Sequence, residues 1–121
     1  GHELPLIIRA GKGKAKPSSE YVESEGLALG MVPNDLFEEV IADCVTTFEP
    51  GDSLVLYTDG ITEAADSDDE QFSTDRLAFF AEKSSGKSPK QFNEELLDEL
   101  QKFAGDALRA DDVTLITARH K

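Results

Sequence analysis

At 121 residues and 13.2 kDa, the chain is one domain or a piece of one. Its 25 acidic against 12 basic residues leave a formal charge of −13, which argues against general nucleic-acid binding and contact with anionic membranes, while a 39% hydrophobic content suffices for a core. One cysteine rules out an internal disulfide framework and a cysteine-rich metal site, and no run of 18 apolar residues is present to span a membrane. Gly1 opens the sequence and Met31 is its sole methionine, so the chain reads as a processed product or an excised segment.

Charge is unevenly spread: residues 1–17 carry Arg9, Lys12, Lys14 and Lys16 against Glu3, a local balance of +3 that leaves −16 for the rest. Two strand-like runs, Leu4–Arg9 and Glu20–Glu23, flank Gly11-Lys12-Gly13-Lys14, and the whole reads as a hairpin with a glycine-rich, solvated tip. The tip lacks the Gly-Lys-Ser/Thr ending of a nucleoside-triphosphate loop and the third glycine of a dinucleotide loop. Residues 38–48 alternate, with Val40, Ala42, Cys44, Thr46 and Phe48 on one side, which predicts a half-buried strand with Cys44 as a buried structural thiol. Glu49-Pro50-Gly51-Asp52 is a turn by residue chemistry. The apolar run Ser53–Thr58 does not alternate, so it predicts a central strand buried on both faces.

Helices come next. One is predicted to start near Ser73-Thr74-Asp75 and to close at Ser84-Ser85-Gly86. A second starts at Ser88-Pro89-Lys90-Gln91, with serine at the cap, proline in the first turn and glutamine three residues on. Its apolar stripe is Phe92, Leu96, Leu97, Leu100 and Phe103, and Glu94, Glu95, Asp98 and Glu99 form its solvated face. Residues 113–118 make a closing strand. Strands first, helices later and a strand returning last describe an α+β fold, with helices on one face of a mostly antiparallel sheet. The other face then needs cover from elsewhere.

Three acidic clusters are candidates for chemistry. Asp66-Ser67-Asp68-Asp69-Glu70 fails as an EF-hand loop, because Gln71 and Leu77 stand where glycine and glutamate are required; a mobile acidic loop is the reading it leaves. Thr58-Asp59-Gly60 puts a carboxylate at a strand end, on a turn opened by Gly60, where hard divalent cations find oxygen ligands or an ordinary turn simply forms. Asp111 and Asp112 precede the last strand, and such neighbours repel unless a cation or a donor compensates them. If both elements lie in one sheet, Asp59 and Asp111 converge at its edge. His2 and His120 sit at the two ends of the chain without a Ser-His or Cys-His context, and read as surface residues.

The stretch from Phe48 to Ala64, with Glu49-Pro50-Gly51-Asp52 and Tyr57-Thr58-Asp59-Gly60 at its heart, resembles the signature of bacterial stage II sporulation protein E-type serine phosphatases, which are type 2C-like and metal-dependent. Gly1-His2-Glu3-Leu4-Pro5-Leu6 resembles the family's Gly-His-x-Pro-Pro segment with its prolines shifted, and Gly26–Gly30 its Gly-x-Pro-Leu-Gly with Ala28 for proline. Asp111-Asp112-Val113-Thr114 resembles its closing Asp-Asp-Ile/Val-Thr. The resemblance implies a four-layer α/β/β/α sandwich and hydrolysis of phosphoserine or phosphothreonine on a protein with Mn²⁺ or Mg²⁺, a water of lowered pKa attacking phosphorus in line. By position, Asp59 and Asp111 are implied metal ligands and catalytic residues, Asp112 a neighbouring alternative ligand, and Gly60 the supporting turn. The implied setting is cytoplasmic bacterial signalling of the sigma-factor-regulation type, with a phosphorylated anti-sigma-factor antagonist as substrate and a homodimer left open. The family's domain begins well upstream with an Asp that bridges both metals. Residues 1–121 are therefore expected to be the C-terminal portion of one phosphatase domain, binding metal weakly and catalysing poorly alone. A non-catalytic interaction module on the same scaffold is the alternative.

Overall fold

The computed structural model describes residues 3–23, 26, 30–105 and 112–121. Four antiparallel strands form one sheet in the order β2-β1-β3-β4: β1 is Leu6–Arg9, β2 Ser18–Tyr21, β3 Ser53–Tyr57 and β4 Leu115–Arg119. The predicted hairpin is present, with Leu6 opposite Tyr21 and Arg9 opposite Ser18. Gly11 (φ 72°) makes its turn possible, since a side chain there would run into the Ala15 carbonyl oxygen. β3 lies between β1 and β4, Leu6 pairing with Val55 and Tyr57 with Leu115.

Two long helices, α3 (Ser73–Lys83) and α4 (Pro89–Ala104), cover one face of the sheet, after the shorter α1 (Asn34–Val40) and α2 (Asp59–Thr62). Leu6, Ile8, Val55 and Tyr57 from the sheet pack with Ile61, Leu77, Phe92, Leu96 and Leu100 into one buried cluster. The α4 start forms as its residues require: the Ser88 hydroxyl accepts from the Gln91 N–H at 3.3 Å while Gln91 Oε1 accepts from the Ser88 N–H at 3.2 Å. The stripe of α4 is narrower than predicted. Phe92, Leu96 and Leu100 are buried, but Leu97 is 41% exposed.

The structure corrects the sequence reading in three further places. Residues 38–48 do not form a strand. Pro33 caps α1, Asp35 sits in its first turn, and the helix takes Val40 out of the alternating run. Residues 41–49 carry no regular element, and Cys44 is exposed rather than a buried thiol. Side chains hold this segment instead of a ladder: Arg9 donates to the Thr47 carbonyl and, at 3.1 Å, to Thr46 Oγ1, while the Phe48 ring stacks on His120 at 5.6 Å. Second, β3 is central but not buried on both faces. Leu56 is 40% exposed, as is Ile116 beside it in β4 at 57%, because the described helices cover only the other side. Third, the acidic loop is a closed turn, the Asp66 carboxylate accepting from the N–H groups of Asp68 (2.9 Å) and Glu70 (3.0 Å).

One buried charge ties the hairpin to the turn before β3. Asp52 accepts from Arg9 Nη1 at 2.9 Å and from the N–H groups of Ala10 and Glu49, both at 3.1 Å. Burial alone pushes its carboxyl up, but the Arg9 guanidinium and the two N–H groups outweigh burial and hold it below the usual carboxylate range. Among the described residues no helix is long and apolar enough to cross a membrane.

Candidate functional site

β3 ends at Tyr57, and the next residues turn at once into α2. The apolar Ile61, fully buried, anchors this short helix to the core, while Asp59 at its start stays exposed. Thr58 does the joining. Its N–H donates to the Thr114 carbonyl at 3.1 Å, and its hydroxyl both accepts from the Thr114 N–H at 3.0 Å and reaches the Asp112 carbonyl at 3.2 Å. These bonds carry the β3–β4 pairing one step past Tyr57 and Leu115, and bring residues 112–114 against the start of α2.

Gly60 sits at the contact, inside the single helical turn of α2. A Cβ there would lie 2.5 Å from the Asp112 carbonyl oxygen and 3.4 Å from Val113 Cγ2. Glycine is required by close approach, not by a left-handed backbone. The two acidic motifs, 52 residues apart in sequence, therefore meet backbone to backbone at one end of the sheet.

Of the predicted site residues, Gly60 packs against the Asp112 backbone carbonyl, and Asp59 precedes Gly60 at the start of α2. Asp111 and His2 lie outside the described residues, as do residues 27–29 of the glycine-flanked motif. His120 is exposed as expected but not idle, because its Nδ1 lies 3.0 Å from the Phe48 carbonyl at the opposite end of β4. Thr58 is the residue that sequence reasoning misses. The signal is present, in a threonine directly before Asp59 and another two residues after Asp112.

Carboxylate and carbonyl oxygens at a strand end are hard donors, and they fit Mg²⁺ or Mn²⁺ better than a soft metal. Among the described residues, however, no group of three or more His, Cys, Asp or Glu side chains converges. At the end of β3, the Tyr57 hydroxyl is buried and has no hydrogen-bond partner among the described residues. The Tyr57 phenol is pushed up by burial first and by Glu3 second; that of Tyr21, which donates to the Thr74 carbonyl at 2.6 Å, is pushed up by burial first and by Tyr57 second.

Comparison with solved structures gives the same architecture. The SiaA-PP2C domain of Pseudomonas aeruginosa superposes with a TM-score of 0.69 at 18% identity, covering 100% of this chain and 45% of that one. The phosphatase domain of the cell fate determinant SpoIIE from Bacillus subtilis superposes with a TM-score of 0.53 at 20% identity, over 96% of this chain and 47% of that one. A crystal form of the same domain without domain swapping gives 0.50 at 22%, over 97% and 46%. At such identities the likeness is one of fold, and the chain spans less than half the length of these domains. No curated protein sequence matches the chain. The family profile described as Stage II sporulation protein E matches residues 1–121, so the chain belongs to the SpoIIE family, on a mixed α+β fold consistent with the PP2C-like phosphatase sandwich.

Proposed function

We propose that this chain contributes one side of a metal-dependent protein phosphatase site, hydrolysing phosphoserine or phosphothreonine on a protein of bacterial signalling. The observation that carries this reading is the close packing of Gly60 on the Asp112 carbonyl, which brings the backbones of the two acidic motifs together at one end of the sheet. Asp59 and Asp111 are the proposed ligands, with Asp112 as the neighbouring alternative. A divalent ion held there would neutralise phosphate oxygens and lower the pKa of a water. The chain's own residues do the positioning: Thr58 locks the 112–114 segment to the strand end, and Ile61 fixes α2 so that Asp59 is presented to solvent from a rigid base. Among the described residues the donor set is partial, so full activity is expected to need carboxylates from outside it. An anti-sigma-factor antagonist is the proposed type of substrate, by analogy with the family.

Turnover of a phosphoserine peptide by the protein carrying this chain, with and without Mn²⁺, tests the proposal. Asp59→Asn keeps the shape and removes the charge. It is expected to cut metal-dependent turnover by at least about 100-fold. Undiminished turnover in that variant would overturn the assignment.

A further inference from the structure

The helical layer holds a groove of about 420 Å³ between α3 and α4, whose lining includes neither Asp59 nor Asp112. Its α3 wall is one stripe at helical spacing: Arg76, Phe79, Phe80 and Lys83 stand at i, i+3, i+4 and i+7. A cation therefore closes each end of an aromatic pair. Phe79 is left 58% exposed, an unusual position for a phenylalanine on a helix that already buries Leu77 and Ala81. Lys83 Nζ lies 4.2 Å from the centre of the Phe79 ring, and Arg76 Cζ 4.9 Å from that of Phe103 on the α4 wall.

The charge of the groove runs against that of the chain. In a chain of net charge −13, three cations line it against two carboxylates, and Lys87 is already paired with one of these, Glu95. Lys83 makes no ion pair among the described residues, and Arg76 reaches only the exposed Glu70, at 3.4 Å. Two turns of helix separate Arg76 from Lys83, about 10.5 Å along the axis. An extended segment spans that distance in about three residues.

We propose that the α3–α4 groove docks an acidic segment of a partner protein, which seats a bulky apolar side chain on Phe79 and Phe80 between carboxylates directed at Arg76 and Lys83. The apolar contact removes the exposed Phe79 face from water, and the two cations select the sign of the flanks. Because the rest of the chain repels acidic partners, the attraction of Arg76 and Lys83 acts only at short range. The inference is independent of the catalytic reading.

The test is a titration of the ¹⁵N-labelled protein with the peptide acetyl-Glu-Leu-Phe-Glu-Glu-amide, followed by amide shifts and repeated with two control peptides. One control replaces each Glu by Lys, the other replaces Leu and Phe by Ser. Saturable shifts confined to α3 and α4, at least 10-fold weaker binding of both controls, and a similar loss in Phe79→Ser and in Lys83→Glu are expected. Both substitutions are at exposed positions, and the spread of amide shifts reports whether each variant is folded. No shift at 2 mM peptide, equal binding of the Lys control, or shifts elsewhere would overturn the proposal. So would concentration-dependent shifts of the same residues without peptide, which would make a second copy of the chain the occupant.

Discussion

Replacing Gly60 by alanine tests the joint on which the site depends. The added methyl would sit 2.5 Å from the Asp112 carbonyl oxygen and 3.2 Å from its carbon, where carbon–oxygen contacts normally settle at about 3.3 Å or more. Relief takes a movement of roughly 0.8 Å, and the obstacle is backbone, not a side chain that could swing aside. If the 112–114 segment retreats, the three Thr58 bonds to Thr114 and Asp112 stretch, each worth about 1 kcal/mol. If α2 retreats, the fully buried Ile61 loses packing. Against this, alanine favours a helix over glycine by up to about 1 kcal/mol. With overpacking costs of about 1–3 kcal/mol, the net expectation is a loss of about 1–2 kcal/mol, or a melting temperature lower by roughly 4–8 °C. Thermal melting by circular dichroism gives the first number. Turnover gives the second, expected to fall by about 100-fold below the melting range, since a shift near 1 Å misplaces Asp59, the proposed ligand next to Gly60. A variant that melts at or above the parent temperature and keeps its turnover would refute the close approach, and with it the convergence of the two motifs.

Asp52→Asn should cost about 2–3 kcal/mol in denaturant unfolding, because it leaves the Arg9 guanidinium, itself partly screened at 22% exposed, without its buried partner. The pH dependence has a definite sign. A carboxyl held below its unfolded pKa of about 3.9 contributes stability that is fully present above that value and lost as pH falls through the lower folded pKa. The parent should thus lose stability below about pH 4 more steeply than Asp52→Asn; parallel curves would exclude Asp52 as a source. Tyr57→Phe removes a buried hydroxyl that makes no well-formed hydrogen bond among the described residues, and should be neutral or stabilising by up to about 1 kcal/mol; a clear loss of stability would mean that its interaction with the neighbouring Tyr21 phenol is a favourable one.

The hairpin, the central strand and both long helices are legible because each rests on local chemistry: glycine at the tip, an unbroken apolar run, and a Ser-Pro-x-Gln start that closes its own capping box. The strand expected over residues 38–48 fails for an equally local reason. Alternation is a weak signal beside a proline-started helix that ends at Val40. Residues 46–48, beyond that helix, are held by Arg9 and His120, contacts up to 38 and 72 residues away that no window along the chain contains. The convergence of the acidic motifs is legible only conditionally. Asp59 and Asp112 lie after and before strands whose adjacency is a property of the sheet, and Thr58, which fastens them, looks in sequence like any polar residue at a strand end.

The error on β3 is the most instructive, since its residues are read correctly and its environment is not. An apolar run without alternation reports two faces that avoid water, and one of them is covered by α3 and α4. On the other, Leu56 and Ile116 are neighbouring positions of adjacent strands, paired in register and largely open. An antiparallel sheet meant to face water would place polar residues there. Isoleucine and leucine at paired positions instead fit a face made for packing, and a sandwich with a second sheet is the arrangement that would use it. The uncovered face belongs to β3 and β4, and the proposed site stands where β3 ends and β4 begins, so whatever covers the first is well placed to contribute to the second.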